Sequence, residues 1–379
     1  MHSFDLFMNP RHGVPGIVTL PAAGFRRAKA EITGWDGYAP TPLLDLPLPG
    51  TIRLKDESGR FGLGSFKALG GAYAVANLLA GELARRSVAP SAGSADLASG
   101  RYAEATNGIT ITSATDGNHG RAVAWAAQRF HCRCVIYIHA TVSAGREAAI
   151  ATFGAEVRRL PGTYDNAVRA CARDALAEGW FVVSDTSWPG YTEVPRDIMQ
   201  GYRLMADEAA DQWTGPPPTH VFIQGGVGGA AAAVAVQART RWGEGPAVVV
   251  VEPERAACLL ASARAGRLTA VGGELDTIMA GLACGEPSLL AWRELERAAL
   301  AFMAIPDDAA TDTMRFLASL GIVAGESGVA GLAALRLVMA GPDARVALGL
   351  GSDSRVLAFS TEGATDPALY AELIRDENT

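Results

Sequence analysis

The chain has 379 residues, 49% of them apolar and 19% charged, with a formal net charge of −7. That length accommodates two domains around a sizeable core. Basic residues are spread rather than clustered, which argues against a nucleic-acid partner, and no apolar run spans a bilayer without Gly or charge interrupting it.

Residues 1–50 are rich in Pro and Gly and are expected to be irregular, with 39–47 an extended approach to a first strand at 51–55. A glycine loop follows, then an apolar, Ala/Gly-rich helix reaching residue 86. Residues 88–108, rich in Ser, Ala and Gly, read as a surface insertion with at most a short helical piece. A steady alternation comes next: strand 109–114, helix 119–130, strand 132–139, helix 144–153, strand 156–160, helix 164–178, strand 180–184. Continuous apolar runs such as CVIYIH suit parallel strands covered on both faces. A long helix is expected over 194–212, then strand 220–224, helix 229–241 and strand 247–252. Helices near 255–265, 308–320 and 329–340 precede a last strand at 355–360. Repeated βα units imply a parallel, right-handed α/β sheet. No linker divides the chain, so two domains would interleave and enclose a cleft, the usual place for a small ligand.

Five stretches carry chemistry. The first surrounds Lys67, which follows Gly62-Leu63-Gly64-Ser65-Phe66. Among 33 basic residues only three are lysines, Lys29, Lys55 and Lys67. A lysine kept in an arginine background is a candidate for Schiff-base chemistry, since an amine can lose its proton and attack a carbonyl while a guanidinium stays protonated. A solvated lysine at a helix start is the plain alternative. The second stretch is Gln224-Gly225-Gly226-Val227-Gly228-Gly229, a strand end opening an Ala-rich helix. Backbone N–H groups and a helix N-terminus there form a phosphate cradle. Gly226, Gly228 and Ala231 also satisfy G-x-G-x-x-A, with Glu252 closing the next strand, so a dinucleotide site competes for the same loop. Tight strand–helix packing is the third reading.

The third stretch is TSATDGNHGR, where Asp116, Asn118 and His119 stand at a strand's C-terminal edge; one of them can be a helix cap. Asp185, in SDTSWPGY, stands where a side chain would enter the cleft, or is an ordinary turn residue. Ser360 and Thr361 close the last strand, where a hydroxyl can meet a ligand ring nitrogen without adding charge; an ST-turn is the alternative. There is no H-E-x-x-H, C-x-x-C, Walker loop or G-x-S-x-G elbow. Cys132 and Cys134 share a strand face but have no second pair for a metal, so none is expected. Five cysteines in so long a chain are not a disulfide framework. With no signal pattern in MHSFDLFMNPRHG, a cytoplasmic protein is expected.

Together these segments resemble the fold type II pyridoxal-phosphate enzymes, the group of tryptophan synthase β and the serine/threonine dehydratases. SFK around Lys67 matches the Schiff-base motif, GNHG at 117–120 the ring-holding loop, and the 224–229 run the phosphate loop. Longer stretches resemble the diaminopropionate ammonia-lyase family: KDES, RFGLGSFKALGGAYA, ATDGNHGRAVAWAA, YDNAVR, SDTSWPGYTEVPRDIMQGY, IMAGLACGEPS and STEG, between about residues 35 and 368. One departure is Gly225, where the family reads Q-A-G-V-G; the change is expected to loosen the loop. Residues 88–108 are also less familiar.

The resemblance implies two interleaved three-layer αβα domains with parallel-rich sheets, residues 1–75 with 191–379 and residues 76–190, with the cofactor between them. It implies pyridoxal 5'-phosphate on Lys67, a homodimer, and degradation of 2,3-diaminopropionate to pyruvate and two ammonia. Expected cofactor contacts are Lys67, Phe66, Asn118, Gly225, Gly226, Val227, Gly228, Gly229, Ser360 and Thr361. Expected substrate contacts are Thr115, Asp116, His119 and Asp185. Lys67 and Asp116 would be bases on opposite faces, admitting both D and L substrates, and Asp116 and Asp185 would hold the β-ammonium. Competing expectations within the fold are a serine/threonine dehydratase, a hydroxyaspartate lyase or a racemase. A catalytically idle binding protein that keeps the fold is a further expectation, and a nicotinamide-dependent dehydrogenase is the expectation outside it. Cys258 and Cys284 are expected either as buried thiols or as a bridge.

Overall fold

The computed structural model describes residues 2–13, 17–115, 117–162 and 164–375. In chain order it has β1 (Asp5–Met8), α1 (Ala22–Thr33), β2 (Leu43–Asp45), β3 (Thr51–Asp56), α2 (Lys67–Arg85), α3 (Ser94–Ala98), α4 (Ala103–Asn107) and β4 (Thr110–Ala114). Then come α5 (Asn118–Arg129), β5 (Arg133–His139), α6 (Ala144–Ala151), β6 (Glu156–Leu160), α7 (Tyr164–Glu178), β7 (Phe181–Val182) and α8 (Glu193–Gln212). The chain continues with β8 (His220–Gln224), α9 (Gly229–Trp242), β9 (Ala247–Pro253), α10 (Cys258–Ala265), α11 (Leu289–Ala298) and β10 (Ala299–Ile305). It ends with α12 (Asp307–Ser319), α13 (Ala330–Ala340), α14 (Pro342–Leu348), β11 (Arg355–Ser360) and α15 (Pro367–Leu373).

The strands sort into two sheets. One has seven strands in the order β1-β10-β9-β8-β11-β3-β2; the other has four, β6-β5-β4-β7. Only the outermost pairs of the larger sheet, β1–β10 and β2–β3, are antiparallel. Its centre is the most apolar part: every residue of β8 is buried, and β9 is buried from Val248 to Pro253. Helices on both faces exclude water there, which is why these strands show no polar alternation. The two sheets draw on different parts of the chain, 110–182 against the segments before 57 and after 219.

Helices α2 and α8 cross where neither has a side chain. A Cβ at Gly70 would lie 2.5 Å from Ile198 O, and one at Gly201 2.1 Å from Leu69 O. Backbone therefore meets backbone, and the first turn of α2, with Lys67, is fixed against the middle of α8. The loop between β3 and α2 is pinned from below. Buried Arg60 donates from Nε to Glu57 Oε2 at 2.8 Å and from Nη2 to Glu208 Oε2 at 2.7 Å, and Lys55 Nζ reaches the same Glu208 oxygen at 2.8 Å. Lys29 is likewise paired, 2.6 Å from Asp207. Two of the three lysines thus serve ion pairs away from the cleft, and Lys67 remains for it.

Three expectations need correction. Residues 1–50 are not irregular: α1 buries Gly24, Phe25, Ala28 and Ile32 on one face, and β1 and β2 edge the large sheet. Residues 88–108 hold two short helices rather than one piece, tied down by buried Leu97 and by Trp35 Nε1 donating to Ser94 Oγ at 2.8 Å. Strand β10 had no counterpart in the sequence reading. Its run follows α11 without Gly or Pro: Ala299 is both the end of the helix, at ψ 128°, and the first strand residue. With no breaker, helix and strand form one apolar stretch.

Candidate active site

The cleft encloses about 940 Å³ of non-atom space, its open mouth included, and is lined from both sheets. At its floor, Lys67 at the start of α2 extends its ammonium to Asp185, with Nζ 2.7 Å from Oδ2. The Nζ also lies 5.3 Å from the Phe66 ring centroid and 5.7 Å from that of Tyr202, and those two rings are 4.6 Å apart. Burial alone would lower the lysine pKa, but the Asp185 charge outweighs it and holds the ammonium above its ordinary value. Burial likewise favours the neutral acid at Asp185, and the Lys67 charge, helped by His119, reverses that and holds the carboxyl below its ordinary value.

On the wall from the smaller sheet, β4 runs into α5. Thr115 Oγ1 accepts from Gly117 N at 3.0 Å and Gly120 N at 3.1 Å. Thr115 therefore does the capping that the sequence reading allotted to an Asp or Asn. Asn118 and His119 are left to face the cleft. His119 is buried and bonds Val183 O through Nε2 at 2.9 Å. Burial depresses its pKa, so the ring is neutral near pH 7. Its Nδ1 has no hydrogen-bond partner among the described residues. Asp116 lies outside the described residues.

On the opposite wall, β8 ends at Gln224 and α9 begins at Gly229. Gly225 N donates to Val251 O at 2.7 Å and Gly228 N to Gly225 O at 3.0 Å, which curls the loop over the helix N-terminus. First-turn N–H groups of a helix have no intrahelical acceptor and are ready for an anion. Gly225 is not slack. A Cβ there would meet Glu252 Cγ at 2.7 Å, Leu259 Cδ1 at 3.1 Å and Val250 Cγ1 at 3.3 Å, so the expectation of a loosened loop is replaced by one of a filled space. Nor does Glu252 face the cleft as a ribose acceptor would. Its two oxygens accept from Leu259 N and Leu260 N, each at 2.8 Å, in the first turn of α10.

Phe66, Lys67, Thr115, Asn118, His119, Asp185, Gly225, Gly226, Val227, Gly229 and Thr361 all line the cleft. Gly228 and Ser360 do not. A Cβ on Gly228 would point at Ala291, Leu259 and Leu295, and buried Ser360 donates its Oγ to Glu362 O at 3.3 Å. No disulfide links the described cysteines, so Cys258 and Cys284 are not bridged. Cys258 packs behind the glycine loop, its Sγ 3.6 Å from Gly226 O, and Cys284 lines the cleft.

Sequence reasoning missed four lining or flanking residues. Arg146 of α6 crosses to Glu326 at 2.6 Å, where burial and then the neighbouring Glu362 charge push the carboxyl up to about 7. Glu362 takes a hydrogen bond from Asn118, and Tyr202 covers Lys67 from mid-helix. Glu362 sat in plain view between Thr361 and Gly363; the others had no local mark.

The donor set fits pyridoxal phosphate. One cleft holds an amine beside a carboxylate, an N–H-rich glycine turn, and buried polar atoms still lacking partners, His119 Nδ1 and Gln224 Oε1. A family of proteins described as "Pyridoxal-phosphate dependent enzyme" matches residues 35–362. The chain is 41% identical over 359 residues to the diaminopropionate ammonia-lyase of Escherichia coli K12, covering 89% of this chain and 88% of that one. A crystal structure of the Escherichia coli protein in complex with D-serine superposes with a TM-score of 0.89 at 36% identity, over 98% of this chain and 97% of the other. A second, with an aminoacrylate-PLP azomethine reaction intermediate, gives a TM-score of 0.87 at 36% identity, over 99% and 97%. A glycine cradle, a cleft lysine and this likeness along nearly the whole chain lead to one assignment: the chain belongs to the pyridoxal-phosphate dependent enzymes of fold type II, in the diaminopropionate ammonia-lyase family.

Proposed function

We propose that this protein converts both D- and L-2,3-diaminopropionate, with one water, to pyruvate and two ammonia. Lys67 holds the cofactor through its Nζ. The turn of Gly225, Gly226, Val227 and Gly229 takes the phosphate, and Gly228, turned away from the cleft, shapes that turn. Asn118 and Thr361 face the ring, with Phe66 beside it; Ser360, turned inward, supports the strand end. When bound, the cofactor supplies an electron sink for the charge left at the substrate α-carbon.

The protein's own residues move the protons. Lys67, once its Nζ is released, removes the α-proton from one enantiomer, and Asp116 is the proposed base for the other. Asp185, ionised and 2.7 Å from Nζ, holds the β-ammonium until it leaves and keeps the lysine charged until a substrate or cofactor displaces it. A β-hydroxyl would gain nothing from that carboxylate, which favours diaminopropionate over serine. Thr115 and neutral His119 complete the wall on the substrate side. The same reading assigns residues 1–75 with 191–379 to the cofactor-binding domain and 76–190 to the smaller one. It makes the protein a homodimer of a reducing, cytoplasmic compartment, consistent with the lack of a disulfide among the described residues; sedimentation would test the assembly.

The supporting observation is the placement of Lys67 Nζ in one cleft with Asp185 and the glycine turn. The experiment compares wild type with Lys67→Ala. Wild type incubated with the cofactor should show visible absorption that borohydride bleaches, a label mapping to Lys67, and two ammonia per pyruvate from each enantiomer. The variant should lose the label and fall at least about 10³-fold in turnover. Serine turned over faster than diaminopropionate, or a label elsewhere, would sink the proposal.

A further inference from the structure

Glu362 is a carboxylate inside the cleft that the reaction above does not use. It is buried, and among the described residues its carboxylate takes hydrogen bonds from an amide and a backbone N–H. Ser327 N donates to Oε1 at 3.0 Å, and Asn118 Nδ2 donates to Oε2. The stem is walled on two sides, since Cβ atoms on Gly325 and Gly328 would each lie 3.0 Å from Glu362 Cγ. The backbone is held as well: Gly325 N donates to Glu362 O at 2.9 Å, and Glu362 bridges to Ser65, two residues before Lys67. The carboxylate therefore has one position, set by three segments at once.

That position has a chemical consequence. A carboxylate only accepts hydrogen bonds, whereas an Asn side chain has a donor end and an acceptor end of nearly equal shape. Facing Glu362, Asn118 must turn its Nδ2 toward the carboxylate, and its Oδ1 is oriented with it. We infer that Glu362 is a positioning residue: it fixes the orientation of the Asn118 amide, and through it the hydrogen bonding available to the cofactor ring. The inference rests on the proposed placement of Asn118 at that ring. Gln at 362 keeps the shape but offers a single acceptor oxygen to two donors, Ser327 N and Asn118 Nδ2, and brings an NH₂ of its own. The Asn118 amide is then free to turn over.

The test measures the visible absorption spectrum and the dissociation constant of the reconstituted protein for Glu362→Gln, Asn118→Ala and the double variant. Each single variant should displace the absorption maximum and weaken cofactor binding about tenfold, the scale of one charge-assisted hydrogen bond. The double variant should match Asn118→Ala alone. Additive effects, or an unaltered spectrum in Glu362→Gln, would overturn the inference. If Glu362→Gln does not fold, Glu362→Asp replaces it; its carboxylate is drawn back by one methylene with charge retained, and the same non-additivity is expected. Failure of the functional reading looks different, because wild type would then show no borohydride-sensitive band on Lys67.

Discussion

Adding one methyl group at position 225 tests how the cofactor turn is supported. The Gly225→Ala Cβ would stand 2.7 Å from Glu252 Cγ, with Leu259 and Val250 atoms at 3.1 and 3.3 Å. Glu252 cannot retreat freely. Both of its oxygens are engaged at 2.8 Å by the first turn of α10, and the residue is fully buried. Moving it forfeits two buried hydrogen bonds worth about 0.5–1.5 kcal/mol each. Letting the backbone shift instead costs about 1–3 kcal/mol, the usual range for an overpacked core. The cheaper route decides, so the expected loss is about 1–3 kcal/mol, or roughly 1–4 °C in Tm for a chain of this size. The backbone that shifts is the turn itself, so cofactor affinity falls with stability. Thermal unfolding with and without cofactor, and a cofactor titration, measure both. Combining the change with Glu252→Ala should remove most of the added cost, since the clashing atom is gone. Unchanged stability and affinity in Gly225→Ala would show that Glu252 is not a fixed wall.

Asp185→Asn should have opposite effects on two rates. With the countercharge gone, burial dominates and lowers the Lys67 pKa below its present raised value; the larger free-amine fraction then speeds cofactor uptake near pH 8, while turnover falls by about 10²–10⁴-fold. An uptake rate with unchanged pH dependence would remove Asp185 as the cause. The carboxyl of Glu252 is pushed up to about 8, chiefly by burial, so the folded protein binds a proton there that the unfolded chain has released above its ordinary 4.5. Stability should therefore decline as pH rises from about 4.5 to 8, by at most about 1.4 kcal/mol per pH unit for this group. Glu326, raised to about 7, adds in the same direction over the lower part of that range. Glu252→Gln should flatten the slope in urea titrations of the cofactor-free protein, and an equal slope in the variant would contradict the assignment. The Lys67–Asp185 pair acts outside that range, in opposite senses at its two ends. A lowered acid pKa is a contribution lost as pH falls below the ordinary 3.8, and a raised lysine pKa one lost as pH climbs above 10.5.

Strands β6, β8 and β11 and helix α7 have the bounds read from the sequence, because strand and helix periods there are bracketed by Gly, Pro or polar turns. Lys67 was legible for a compositional reason, the rarity of lysine, and the glycine turn for a conformational one. Elements joined without a breaker were not legible, as at Ala299, nor was α1, whose buried face is complete only against α8. The glycine loop and the SFK motif marked Lys67 in the sequence, but only the tertiary structure showed the partner each lysine of that stretch finds: Glu208 inside the core for Lys55, Asp185 at the cleft for Lys67. It likewise separated Thr361 from Ser360, put Glu252 behind the glycine turn instead of before it, and brought Glu362 to Asn118 across 244 positions of chain. Local periodicity and turn chemistry are written in neighbouring residues. A charge's partner, and hence its role, is set by whichever distant segment packs beside it.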